Sequence, residues 1–308
     1  MAVRASFLLG FVLLLAFQTQ MALCKPSEEF LRGLVGCHKG QNIKGVSQVK
    51  KYLENFGYLR YGDHANNSNN DEYDDIVESA VKTYQLNYHL NQTGILDAET
   101  LNEMIKPRCG VADIINGTTR MQSGKKKPTS LRTVSHFAFF SGNPPPTWDR
   151  TALTYKFRST VEVVDIQTLR YVISNAFSKW EAVTQFTFTE AQDGSSSDIE
   201  IGFHRLAHDD NAPFDGLGDG MRNTLAHAYP PTNGRFHYDA DESWSTNPSP
   251  NEIDLESVAV HEIGHLLGLD HSEVREAVMF SGISPGVTKR DLASDDIQGI
   301  RTLYRLSS

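Results

Sequence analysis

Hydrophobic positions divide the chain into an early stretch with a helical period and a later stretch in which helical and strand periods both occur. Val46, Val49, Tyr52, Leu53 and Phe56 recur at three- and four-residue intervals, as do Ile76, Ala80, Val81 and Tyr84, so each set lines one face of a helix. Asp97 stands where an N-cap would open a third helix carrying Leu101 and Ile105. An Asn- and Asp-rich loop from Asp63 to Asp75 separates the first helix from the second. Residues 25–113 therefore read as a small all-α, three-helix unit. From about Val134 the pattern changes. Leu153 to Phe157 alternates as a strand, and Ile166, Leu169, Val172, Ile173, Ala176, Phe177, Trp180 and Val183 share one face of a long helix. Phe186 to Phe188 and Ile199 to Phe203 read as short strands. Loops rich in Tyr, Gly and Asp follow, then an apolar helix near Leu255 to Leu267 and a last helix ending near Tyr304. Residues 134–308 are thus one α+β domain, and no internal repeat is visible.

Between the two units, residues 114–133 are polar and basic, with Lys125, Lys126, Lys127, Pro128 and Ser130 together. An exposed linker of this composition is where proteolysis concentrates. At the start of the chain, Arg4 precedes the apolar run Phe7 to Phe17, and small residues follow at Ala22 to Cys24. That is the form of a secretory signal peptide, residues 1–24, cleaved before Lys25. The run is too short to span a bilayer, no later stretch is long enough, and the C-terminus lacks the hydrophobic tail of a lipid-anchor signal. Sequons at Asn66, Asn91 and Asn116 fit a secreted product.

Composition narrows the classes. A chain of 308 residues with 22% charged and 39% hydrophobic positions suits two soluble globular domains. Its 38 acidic against 29 basic side chains, net charge −9, argue against a nucleic-acid-binding surface. Three cysteines are too few for a disulfide scaffold.

The chemistry lies in the apolar helix. His261, Glu262, Ile263, Gly264 and His265 place two imidazoles one turn apart on one helix face, close enough to bind a single ion. Glu262, one position on, reaches a water on the metal without binding the metal itself. Gly268 ends the helix and lets the chain turn, bringing His271 back as a third ligand. Three ligands leave zinc an open position, the arrangement of a catalytic site, where a bound water becomes a nucleophile at neutral pH. Met279 lies downstream, where a Met-containing turn would support the site from below.

The run from Val260 to Met279 resembles a metzincin metalloprotease, and further segments narrow the likeness to the matrixins, the matrix metalloproteinase family. Pro107 to Asp113 resembles that family's cysteine-switch motif. Trp148 to Tyr155, His208 to Gly216, Leu225 to Ala228 and His237 to Glu242 match as well, and the chain ends soon after Asp295 to Gly299 without a hemopexin-like domain, as in the plant matrixins. The resemblance implies a metzincin catalytic domain, a twisted and mostly parallel sheet with three helices, behind an all-α propeptide similar to peptidoglycan-binding domains. It implies a secreted, extracellular zymogen of a zinc endopeptidase acting on proteins or peptides, a monomer with no membrane anchor and no nucleic-acid partner. An activating protease or self-cleavage would cut the linker. Glu262 would be the general base and then the acid. Cys109 would ligate the zinc in the latent form, with Arg108 and Asp113 pairing to fix its loop. His208, Asp210, His227 and His237 would hold a structural zinc, and Asp215, Gly216, Asp239 and Glu242 a calcium ion.

Several positions depart from the family. Ala112 stands where proline is usual, which implies a less rigid switch loop. Phe280 and Ser281 replace the Tyr-Pro pair after the Met turn, so the wall of the substrate pocket differs. Asp219, Gly220, Met221 and Arg222 are inserted before His227, and the shortened stretch from His227 to His237 lacks the Gly-rich loop of a second calcium site. Cys37 has no evident partner. A rival reading, in which the helical unit binds a wall polymer and the rest is an inert scaffold, conflicts with the intact His261, Glu262, His265 and His271.

Overall fold

Residues 28–62, 69–115, 118–119, 121, 137–216, 221 and 223–306 are described by the structure, a computed structural model. The leader 1–24, most of the 114–133 linker, the sequons at Asn66 and Asn116, and Asp219, Gly220 and Arg222 lie outside the described residues.

The N-terminal part forms α1 (Glu28–Leu34), α2 (Val46–Asn55), α3 (Asp75–Asn87) and α4 (Ala98–Met104). The last three are the expected helices, two from their period and α4 from its Asp97 cap; α1, with 7 residues and no such signal, was not foreseen. Aspartates start two of them. Asp74 Oδ1 accepts from the Ile76 and Val77 amides at 3.0 and 2.9 Å, and Asp97 Oδ1 from the Thr100 amide at 2.8 Å. Each cap satisfies donors that a helix start leaves unpaired. Val77, Ala80, Val81 and Tyr84 face the core, whereas Ile76, expected on that face, is 43% exposed in the first turn. Inside, the rings of Tyr52, Phe56, Tyr58 and Tyr84 meet edge to face at 4.8–5.9 Å.

The chain continues through β1 (Arg108–Cys109), β2 (Ile114–Ile115), β3 (Thr118–Thr119) and β4 (Ala138–Phe139) into the α+β part. This comprises β5 (Ala152–Phe157), α5 (Ile166–Glu181), β6 (Thr187–Glu190), β7 (Ile199–His204), β8 (Thr224–Ala228) and β9 (Arg235–Asp239). After these come β10 (Trp244–Ser245), β11 (Ile253–Asp254), α6 (Leu255–Leu266), β12 (Leu269–Asp270) and α7 (Ser294–Tyr304). One sheet runs in the order β1-β8-β9-β7-β5-β6, parallel at every pairing except β8 with β9. The expected mostly parallel sheet and three helices are therefore present. Helices α5 and α6 pack together, with Trp180 Nε1 donating to the Val260 carbonyl at 2.9 Å, and their apolar faces merge with the sheet in one core.

Strand β1 belongs to the segment that leaves the helical unit, yet it extends the sheet beyond β8. The Arg108 amide donates to Asn223 O at 2.9 Å and the Gly110 amide to Ala226 O at 2.8 Å. On its other side the Cys109 amide donates to Ser281 O at 2.8 Å, and Pro107 O accepts from the Ile283 amide at 3.0 Å. The segment is threaded between the edge strand and the wall that follows the Met turn. Phe280 of that wall and Met221 are buried in the hydrophobic core of the helical unit, so the two parts share apolar surface. Burying one phenylalanine contributes about 1.5–3 kcal/mol to that contact.

Candidate active site

Helix α6 is buried along its whole length, its polar side chains Glu256, Ser257, His261, Glu262 and His265 included. Asp254 opens it by accepting from the Ser257 amide at 2.9 Å, and Arg290 grips the same carboxylate. His261 and His265 project from one face. Between them Gly264 is required by close packing, because a Cβ there would run into the Met279 sulfur and the Trp180 ring. The Met turn itself is fixed by Asp296, which accepts from the Val278 and Met279 amides at 2.9 and 3.0 Å. Gly268, at φ +100°, reverses the chain into β12 and delivers His271 to the same cavity.

Each imidazole is oriented through its outer nitrogen. His261 Nδ1 lies 2.7 Å from Val278 O, His265 Nδ1 2.8 Å from Leu269 O, and His271 Nδ1 2.9 Å from Asp113 Oδ1. Their Nε2 atoms therefore converge, and with Cys109 Sγ they form a fully buried set lying within 4.8 Å of one another. The sulfur is 3.4 Å from His265 Nε2. His261 Nε2 and His271 Nε2 are buried with no hydrogen-bond partner, a costly state that a metal ion relieves. Burial, with the His271 charge next, pushes His261 well below its ordinary pKa, which favours the neutral imidazole that zinc needs. Both Glu262 oxygens are likewise buried and unpartnered, and burial pushes that carboxyl up to about 8. Burial, and then the Glu262 charge, raise the Cys109 thiol well above its usual range. In such surroundings only a cation makes a thiolate favourable. This set fits a zinc ion.

Arg108 and Asp113 pair beside it, as the motif implied. Arg108 Nη2 and Nη1 donate to Asp113 Oδ1 and Oδ2 at 2.8 and 2.9 Å, and the guanidinium lies 3.6 Å over the Phe56 ring. Burial alone would raise Asp113; the Arg108 charge and the bonds from His271 and Arg108 hold its carboxyl well below the usual range. Tyr88, and its bond to Ser281, were not foreseen. Tyr88 Oη accepts from Arg108 Nη1 at 2.7 Å and bonds Ser281 Oγ at 2.8 Å, joining the helical unit to the wall.

A second convergence lies on the far side of β8. His227 Nε2, His237 Nδ1 and His208 Nε2 stand 2.6, 2.8 and 3.0 Å from Asp210 Oδ2. Three imidazoles and one carboxylate supply four ligands, a set that fits a structural zinc.

Comparison with known proteins decides the family. Residues 147–305 match the family described as Matrixin, and residues 42–104 match the "Putative peptidoglycan binding domain". Metalloendoproteinase 2-MMP of Arabidopsis thaliana is 43% identical over 283 residues, covering 87% of this chain and 73% of the relative. The chain belongs to the matrixins. Metalloendoproteinase 1 of Glycine max is 44% identical to this matrixin, over 88% of this chain and 85% of its own length. Neutrophil collagenase of Homo sapiens is 34% identical over 97% of this chain and 56% of the relative. The matrixin is accordingly a zinc metalloendopeptidase, and its family uses catalytic zinc, structural zinc and calcium.

The expected calcium ligands are less tightly gathered. Among the described residues only the two sets above converge as groups of three or more, so Asp215, Asp239 and Glu242 do not close on one point. A cation is nevertheless favoured at Asp239, whose Oδ2 is buried without a partner. Burial, and then the Asp215 charge, push that carboxyl up to about 8, and a divalent cation would reverse both effects. Asp241, beside Gly216, pairs with Arg205. His204 is a residue that sequence reasoning missed. Its ring lies 4.3 Å from that of His237 and 5.1 Å from that of His208, which no motif spacing signalled.

Proposed function

We propose that this matrixin is a secreted zymogen: signal peptide 1–24, propeptide 25–113, activation linker 114–133 and catalytic domain 134–308. One observation carries the reading: the Cys109 sulfur shares a buried cavity with His261, His265 and His271, where it fills the position a substrate would need. No helix among the described residues is long and apolar enough to cross a membrane. Asn91 is exposed and open to a glycan.

His261, His265 and His271 would hold the catalytic zinc, and Cys109 would occupy its fourth position until the linker is cut. Zinc, when bound there, supplies Lewis-acid chemistry, polarising a peptide carbonyl and acidifying water. Glu262 takes the proton from the attacking water and hands it to the leaving amine. Its raised pKa suits a group that must both accept and return a proton near neutrality. Substrate would lie extended along β8 in place of β1. Beside His261 a narrow cavity of about 20 Å³ is lined by Leu225, Val258, Val278, Ile283 and Lys289. Lys289 Nζ donates to Arg275 O and Ala277 O at 2.7 and 3.0 Å, and the cavity, which holds about one water, would have to widen to take a substrate side chain.

The reading is tested by peptide hydrolysis before and after linker cleavage, with and without a chelator. Activity that appears on cleavage, vanishes with chelator and returns with zinc is expected. Chelator-resistant hydrolysis, or none after cleavage, would reject it.

The second zinc carries a separate prediction. His237 sits on β9 and His227 on β8, so an ion held by both ties the loop of His208 and Asp210 to the sheet. Structural zinc binding is coupled to folding. His237→Ala should lower the melting temperature and take the zinc content from two per chain toward one, while the folded fraction keeps much of its specific activity. One zinc per chain in the washed wild type would remove the site from the proposal.

A further inference from the structure

The three histidines of the catalytic set differ in where their outer acceptors come from. His261 and His265 lean on Val278 O and Leu269 O, backbone groups of the catalytic domain that stay in place whatever happens to the propeptide. His271 leans on Asp113, from beyond the linker, through an Oδ1···Nδ1 contact of 2.9 Å between two side chains with no exposed surface. Asp113 is itself over-determined. Both its oxygens are held by the Arg108 fork, and Oδ2 also accepts from Tyr58 Oη at 2.8 Å. A carboxylate held this rigidly fixes the tautomer and ring angle of the imidazole it accepts from, and makes that imidazole a better metal ligand.

We propose that Asp113 is a positioning residue for His271, so that the propeptide supplies the outer carboxylate of the third zinc ligand as well as the thiol. The inference rests on the zinc site and zymogen reading given above. Removing the propeptide would then do two things at once: it opens the fourth position and strips His271 of its acceptor. Among the three ligands only His271 changes its surroundings in this way, which makes the zinc of the activated enzyme more exchangeable than thiol loss alone would.

Asp113 also holds the switch loop through Arg108, so the test must separate the two roles. The zinc-loaded, uncut chain labelled with ¹⁵N at histidine should show three sheltered Nδ1–H signals from the catalytic set. The one bonded to a carboxylate lies farthest downfield. That signal alone should move upfield when the linker of the wild type is cut and the propeptide removed, a comparison that needs no substitution. It should also move in Asp113→Asn, which keeps an oxygen but loses the charge, together with about tenfold faster transfer of zinc to a chelator. Arg108→Lys keeps a cation beside Asp113 while losing the fork, and should leave the signal in place. A signal unmoved by propeptide removal overturns the proposal. So do equal shifts in Arg108→Lys and Asp113→Asn, which would mean that Asp113 acts only through Arg108. A chain that binds no zinc at the outset would instead overturn the reading on which the proposal rests.

Discussion

Glu262→Ala should lower turnover of the linker-cleaved enzyme by at least about 100-fold while leaving its zinc content unchanged. The substitution takes away only a carboxylate whose two oxygens have no hydrogen-bond partner, so no other contact is broken. Alanine is the best helix former, and α6 keeps its Asp254 cap. His261 and His265 keep their backbone acceptors, and the substitution leaves His271 as it stands in the cleaved wild type. What disappears is the one group placed to move a proton between water and the leaving amine. Steady-state kinetics on a peptide, paired with elemental analysis, separates the outcomes: near-normal turnover with full zinc would exclude Glu262 from the mechanism.

Cys109→Ser should activate the uncut chain. A hydroxyl at this position is a poor substitute for a thiolate on zinc, so the strongest hold on the segment is lost. What remains is the pairing of β1 with β8 and with the wall at Ser281 to Ile283, together with the Arg108–Asp113 pair. These contacts compete with substrate for the same edge. Hydrolysis by the uncut variant should rise at least about tenfold above the uncut wild type, equivalent to about 1.4 kcal/mol of lost closure. A variant as silent as the wild type until cleaved would assign latency to steric cover and leave Cys109 without a role as the latch.

What could be read from the sequence was local. The ligands from His261 to His271 lie on one helix and the turn after it, so their spacing fixes their geometry. Helix α5 announced itself because it is long enough for a period to repeat, and α6 because it is an apolar run that carries the histidine motif. The errors have the same physical origin. Ile76 is exposed because, at 3.6 residues per turn, it lies about 90° round the helix from the centre of the face formed by Val77, Ala80, Val81 and Tyr84, which its spacing from Ala80 alone does not show. The contacts that join the two parts were invisible because they are distant along the chain: His271 meets Asp113 across 158 residues and Tyr88 meets Ser281 across 193. Phe280 could be recognised as a departure from the family, but nothing in its neighbours says that it packs on Tyr88 at 5.9 Å. Calcium was the hardest case, since its ligands come from separate loops and only Asp239 carries the mark of a missing cation.

Phe280 and Met221 have a consequence for how the molecule is made. Both belong to the later part of the chain, yet they complete the hydrophobic core of the earlier one. The helical unit on its own would lack these two side chains at the edge of its core. The finished precursor should then melt in a single cooperative transition by calorimetry, as parts that share a core do. Two well-separated transitions would count against this shared core. Under the zymogen reading proposed above, cutting the linker would separate two parts that share apolar surface at Phe280 and Met221.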